Sequence, residues 1–143
     1  MKVVKTFNFD IAHLLDGHDG KCKNLHGHTY RLEVEVAGPV IEDGPKKGMV
    51  IDFADLKSVV DDLIIARMDH AFLYDSTNER ETAIAQLLEG WNMKTYPFKH
   101  RTTAENISRH ILDLLRERLE GVNRVRLWET PSSYSECTFD DEI

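Results

Sequence analysis

The chain opens with two alternating stretches. In residues 2–13, Val3, Phe7, Phe9, Ile11 and His13 share one parity, and Thr6, Asn8 and Asp10 the other. In residues 26–37, His26, His28, Tyr30, Leu32, Val34 and Val36 fall on one side, and Arg31, Glu33 and Glu35 on the other. A period of two marks a strand with one buried face. Residues 14–25 carry Asp16-Gly17, Asp19-Gly20 and several charges, and read as a loop. The two strands are expected to pair antiparallel through it. Residues 38–48 are rich in Gly and Pro turns, and Met49–Ile51 is a short extended piece.

The period then changes. Phe53, Leu56, Val59, Val60, Leu63 and Ile64 recur at helical spacing behind Asp52, a suitable N-cap. They predict a helix of about three to four turns, running into Met68-Asp69-His70-Ala71-Phe72-Leu73. Residues 79–90 predict a short second helix, and Met93–Phe98 reads as extended. Thr102 and Glu105 fit a capping box ahead of a long amphipathic helix bearing Ile107, Ile111, Leu114, Leu115 and Leu119, ended by Gly121. Residues 122–130 alternate again, with Val125, Leu127 and Glu129 opposite Arg124, Arg126 and Trp128. After a turn at Pro131, residues 134–139 form a last strand. The order β-β-α-(α)-α-β-β predicts one α+β domain over residues 1–143, an antiparallel sheet with helices on one face.

Composition excludes more than it selects. At 143 residues the chain can bury a substantial core, and 41% hydrophobic with 30% charged residues suits a soluble globular protein. A net charge of −7 argues against nucleic acid or a membrane surface as partner. No apolar run approaches the roughly 20 residues of a membrane span, and no signal pattern opens the chain. Two cysteines are too few for a disulfide framework, so a cytoplasmic protein with reduced thiols is expected.

The chemistry concentrates in Cys22-Lys23-Asn24-Leu25-His26-Gly27-His28. His26 and His28 share a strand face, and His13 continues the apolar face of the neighbouring strand. Three imidazoles with an open fourth position describe a catalytic zinc site. Nitrogen ligands suit Zn²⁺ best and are compatible with Fe, Co or Ni. Cys22, flanked by Lys21 and Lys23, has three readings: a base or nucleophile, a fourth ligand, or an inert thiol. Asp69-His70 reads either as a carboxylate–imidazole pair that moves protons or as a helix C-terminus. Glu129 continues an apolar face, so its carboxylate needs donors. An amino-amidine edge, as in a guanine or pterin ring, supplies two; an internal Arg or Lys is the alternative. Glu105 is already explained by the capping box.

Phe9-Asp10-Ile11-Ala12-His13, Cys22-x-x-x-His26-Gly27-His28, Gly48-Met49-Val50-Ile51-Asp52-Phe53, Asp69-His70-x-x-Leu73, Thr103-Ala104-Glu105-Asn106 and Glu129-Thr130 run in order along nearly the whole chain. Together they resemble the 6-pyruvoyl-tetrahydropterin synthase/6-carboxytetrahydropterin synthase family. The resemblance implies the tunnelling fold, a four-stranded antiparallel sheet with helices on one side. It also implies a homo-oligomer, a trimer or a hexamer made as a dimer of trimers, with active sites at subunit interfaces. By the same resemblance His13, His26 and His28 bind Zn²⁺. Cys22 is the catalytic base in a proton relay with Asp69 and His70. Glu129 anchors the pterin and is counted with the relay, and Thr103 and Glu105 fall in the pterin-site segment.

The implied substrate is 7,8-dihydroneopterin triphosphate. The implied reaction is a lyase reaction giving 6-carboxy-5,6,7,8-tetrahydropterin with release of acetaldehyde and triphosphate, in 7-deazaguanine (queuosine) biosynthesis. The alternatives are a 6-pyruvoyl-tetrahydropterin product or a non-catalytic pterin- and zinc-binding module. A folate branch with Glu in place of Cys22 ranks lower. Lys21, Lys23, Lys99 and Arg101 are candidates for the triphosphate. The chain departs from the family pattern in lacking a Pro before Thr103-Ala104-Glu105 and in a longer, partly helical stretch at residues 75–100.

Overall fold

The computed structural model describes residues 1–141, and the expected domain end at residue 143 lies outside the described residues. In chain order the elements are β1 (Lys2–His13), β2 (His26–Ala37), α1 (Phe53–Val60), α2 (Ala66–Met68), β3 (Ala71–Asp75), α3 (Glu79–Gly90), β4 (Thr95–Phe98), α4 (Ala104–Arg116), β5 (Val122–Thr130) and β6 (Ser133–Thr138). A π-helical stretch, Asp61–Ile65, joins α1 to α2.

β1 and β2 pair antiparallel along their whole length, from Lys2 opposite Ala37 to His13 opposite His26. The parity that is apolar in the sequence is the one that is buried: Phe7, Phe9 and Ile11 on β1, and Tyr30, Leu32, Val34 and Val36 on β2. Against it lie Leu56, Val60, Ile64 and Met68 of the α1–α2 helix and Ile107, Ile111, Leu112 and Leu115 of α4. Each such side chain contributes about 1.5–3 kcal/mol of burial. Asp52 caps α1 by accepting from the Ala54 amide at 2.8 Å. Phe53, expected on the buried stripe, is instead 49% exposed, because the stripe that packs runs in steps of four from Leu56.

The sheet has six strands, not the expected four, in the order β4-β3-β1-β2-β5-β6. β3 runs parallel to β1, and β4 parallel to β3. The element order is therefore β-β-α-β-α-β-α-β-β. β3 escaped the sequence reading because Ala71, Phe72, Leu73 and Tyr74 are all buried. A strand covered on both faces shows no alternation and reads like the end of a helix.

The capping box is also corrected. Thr103, not Thr102, is the N-cap of α4, and its hydroxyl accepts from the Asn106 amide. Thr102 is turned inward and fully buried. Asn106 therefore takes the third helical position, and Glu105 is released from the capping role. Gly121 stands at the entry to β5 with φ +80°; a Cβ there would meet the Ala37 carbonyl oxygen at 2.6 Å. That carbonyl approach and the positive φ both require glycine.

The other face of β2, β5 and β6 is charged. Glu35 accepts from Arg124 at 2.7 and 3.0 Å and from Asn123 at 2.7 Å. Asn123 is the extra residue of a bulge between the Glu35–Arg124 and Val36–Val122 pairs. Burial works against the Glu35 charge, but hydrogen bonds from Asn123, Arg124 and Lys2 outweigh it and hold the carboxyl at about 2.

Candidate metal centre and adjoining cavity

The strand register assembles the centre. His13 ends β1 directly opposite His26, the first residue of β2, and His28 lies opposite Ile11. The three rings converge, with centroids 4.7 Å apart for His13–His26, 5.3 Å for His13–His28 and 4.9 Å for His26–His28. One nitrogen from each lies within 4.8 Å of the others.

The surroundings fix the tautomers of two rings. His13 Nδ1 donates to the Thr102 carbonyl at 2.9 Å, and His26 Nδ1 donates to the Asn24 carbonyl at 2.7 Å. A carbonyl accepts only, so each Nδ1 carries the hydrogen and each Nε2 presents a lone pair. His13 Nε2 and His28 Nε2 are buried without a hydrogen-bond partner. Burial, and then the neighbouring His26, push His13 down to about 4, against the Thr102 bond that raises it. Burial likewise lowers His28. His13 and His28 are neutral near pH 7 and partnerless at Nε2, and His26 converges with them, so the donor set fits a metal ion.

Glu129 extends the buried parity of β5. Its Oε1 is 3.5 Å from the neutral His28 Nε2. A cavity of about 270 Å³ opens beside it, lined by Leu15, Thr103, Glu105, Glu129, Tyr134 and Ser135. Thr103, Glu105 and Glu129 thus meet at one cavity, and Glu105 does so because the cap has moved to Thr103. The sequence reading missed Leu15, Tyr134 and Ser135. It also missed Tyr30, whose hydroxyl is buried without a hydrogen-bond partner and whose ring lies 5.6 Å from that of His28. The Tyr30 phenol is pushed up by burial, then by Glu129 and Cys22. Its position two residues after His28 on the same face was the available signal.

Cys22 is half-buried on a 3₁₀ turn, Lys21–Lys23, and its carbonyl accepts from the Leu15 amide at 2.8 Å. Both cysteines are free thiols. Asp69 and His70 form a pair at 3.0 Å, with His70 in the left-handed region at φ +62°. Two bonds hold that conformation. The His70 amide donates to the Asp10 carbonyl at 2.7 Å, and Asp69 Oδ1 accepts from the Asp10 amide at 2.9 Å. The Asp10 bond, helped by His70, keeps the Asp69 carboxyl below its ordinary range. Asp10 has the parity opposite to His13, and the His70 side chain is 76% exposed. Among the described residues, no hydrogen bond or ion pair joins Cys22 to Asp69 or His70. Of the triphosphate candidates, Arg101 donates to the Asp16 carbonyl at 3.0 Å.

Fold and geometry together define an α+β protein able to hold a metal ion, with a cavity beside Glu129 that Thr103 and Glu105 also line. The chain belongs to the 6-pyruvoyl tetrahydropterin synthase family, whose model matches residues 2–140. It is 58% identical over 137 residues to the 6-carboxy-5,6,7,8-tetrahydropterin synthase of Haemophilus influenzae, covering 94% of this chain and 96% of that one. It is 30% identical over 142 residues to the Rickettsia bellii protein of the same name, covering 95% and 99%. The expectation of a lyase-type enzyme is met with these relatives. Among solved structures, the fold matches the 6-pyruvoyl tetrahydropterin synthase of Caenorhabditis elegans with a TM-score of 0.70 at 24% identity, covering 96% and 94%. It matches an uncharacterised protein of Wolinella succinogenes with a TM-score of 0.82 at 21% identity, covering 98% of each chain. Among the described residues, no helix is long and apolar enough to cross a membrane.

Proposed function

We propose that this protein converts 7,8-dihydroneopterin triphosphate to 6-carboxy-5,6,7,8-tetrahydropterin, releasing acetaldehyde and triphosphate, as a cytoplasmic, zinc-dependent lyase of 7-deazaguanine (queuosine) synthesis. The observation that carries this reading is the convergence of three imidazoles, two of them buried and without a partner at Nε2, beside Glu129, which also lines a cavity with Thr103 and Glu105. The product assignment follows the name of the 58% identical relative.

In this reading His13, His26 and His28 hold Zn²⁺, which when bound supplies Lewis acidity toward the substrate's side-chain hydroxyls. Glu129 accepts the two parallel N–H groups of the pterin's amino-amidine edge, and Thr103 and Glu105 orient the ring. Cys22 takes a proton from the side chain as general base. Asp69 fixes the ring of His70, and His70 moves the second proton. The separation of Cys22 from Asp69 and His70 within one chain motivates the quaternary part of the proposal. Asp69 and His70 of one copy serve the metal centre of another, in a trimer or a dimer of trimers.

Incubating zinc-loaded protein with 7,8-dihydroneopterin triphosphate and identifying products by mass spectrometry tests the reading. Acetaldehyde and the 6-carboxy product are expected in equal amounts. A 6-pyruvoyl product without acetaldehyde would transfer the chain to the sibling activity. Pterin and zinc binding without turnover would make it a binding module.

A further inference from the structure

The stretch at residues 75–100 is packed against the start of the loop that carries Cys22. Leu14 follows His13 directly and is buried in a small second core with Phe72, Tyr74 and Ala85 of α3. Two residues on, Asp16 is gripped three times. Its Oδ2 accepts from Asn78 Nδ2 at 3.0 Å, its Oδ1 accepts from Arg80 at 3.0 Å, and its carbonyl accepts from Arg101 at 3.0 Å.

Asn78 is bonded at both ends of its amide. Its Oδ1 caps α3 by accepting from the Glu81 amide at 2.9 Å, while its Nδ2 reaches Asp16. Glu81 locks the same turn from inside: it is 1% exposed and accepts from the Asp75 amide at 3.2 Å. Between Leu14 and Asp16, the Leu15 amide donates to the Cys22 carbonyl at 2.8 Å. The other hydrogen bonds of the Lys21–Lys23 turn stay within residues 20–24. Among the described residues, the Leu15–Cys22 bond is the hydrogen bond that ties the Cys22 backbone itself to a segment outside residues 20–24, while Asn24 at the end of the turn also accepts from His26 Nδ1.

We propose that Asp16 is a positioning residue for Cys22: α3 fixes Asp16 through Asn78 and, more weakly, Arg80, and Asp16 fixes the Leu15–Cys22 closure of the loop that carries the thiol. The Arg80 pair is the weaker contact, because Arg80 is 82% exposed and a surface ion pair of this kind contributes little. The Asn78 amide, part-buried and held at both ends, is the stronger one. The mechanism is geometric, since a misplaced reacting group can lose up to about a hundredfold in rate. The proposal rests on Cys22 as the base of the reaction above.

The test compares Asp16→Ala, Asp16→Asn, Asn78→Ser and Arg80→Ala in the zinc-loaded full chain. Serine keeps an N-cap for α3 but removes the donor to Asp16. Three quantities are measured: Leu15 amide exchange, zinc content, and kcat and KM separately. Asp16→Ala and Asn78→Ser are expected to speed Leu15 exchange about tenfold or more and to lower kcat about tenfold. KM should stay within about twofold and zinc content unchanged. Asp16→Asn, which keeps an acceptor oxygen, recovers most of the loss, and Arg80→Ala behaves like the parent. Unchanged Leu15 exchange and kcat in Asn78→Ser would overturn the proposal, even if Asp16→Ala failed to fold. If the parent turns nothing over, the catalytic reading fails on its own, and the exchange measurement still decides whether α3 holds the Cys22 loop.

Discussion

His13 shows how much of this site is made by what lies behind it. Its ring reaches the centre because the Thr102 carbonyl, presented just before α4, takes its Nδ1 hydrogen. Burial then keeps it neutral, which a metal ligand requires. Cys22 differs: its thiol is not among the groups that converge with the three histidines. The two roles should separate on mutation. His26→Ala is expected to drop bound zinc well below one per chain, read by elemental analysis after gel filtration. Cys22→Ala should keep full zinc content while turnover falls by at least about a hundredfold, the lower end of a general base's contribution. Full activity in Cys22→Ala would remove it as the base.

At the scale of elements, the β2–β5 bulge links local geometry to stability. The extra residue, Asn123, donates its amide to Glu35 Oε1, while two N–H groups of Arg124 donate to Oε2. The folded Glu35 carboxyl lies at about 2, below its ordinary value of 4.5. A depressed carboxylate contributes stability that is fully present above pH 4.5 and is lost as pH falls toward 2. Glu35→Gln should therefore be less stable than the parent by about 3 kcal/mol at pH 7. That gap should close between pH 4.5 and 2, as urea unfolding at stepped pH would show. A gap independent of pH would mean that packing, not ionisation, carries the effect. β3 illustrates the opposite case, an element whose pattern hides it. Its four consecutive buried residues end the helix signal without starting a strand signal.

For the whole molecule, the exposed His70 with its partner Asp69 and the half-buried Cys22 share no hydrogen bond or ion pair among the described residues. If the proposed assembly is right, Cys22→Ala and His70→Ala proteins, each inactive alone, should regain activity when refolded together. Random mixing leaves about one quarter of the inter-subunit sites with both groups intact. Recovery of roughly that fraction of parental turnover is expected. No recovery, with mixed oligomers shown by native mass spectrometry, would place the whole relay within one chain.

The alternating strands, the helical stripes of α1 and α4, and the places of His13 on the apolar face of β1 and of His26 and His28 on that of β2 were all legible in the sequence. Each depends on the side-chain period of a single element, and that period is local. The resemblance carried by the ordered motifs reached the family as well. Tertiary structure alone decided the rest. It added β3 and β4 to the sheet, moved the α4 cap to Thr103, turned Thr102 onto His13 and brought Glu105 beside Glu129. It also fastened α3 to the Cys22 loop through Asp16. Apart from the local α4 cap, these are contacts between segments distant in sequence, such as His13 with Thr102, 89 residues apart, and Asp16 with Asn78, 62 apart. No period within one element records which distant carbonyl or amide will face it. Only packing of the whole chain, in which every buried donor must find an acceptor, selects those partners.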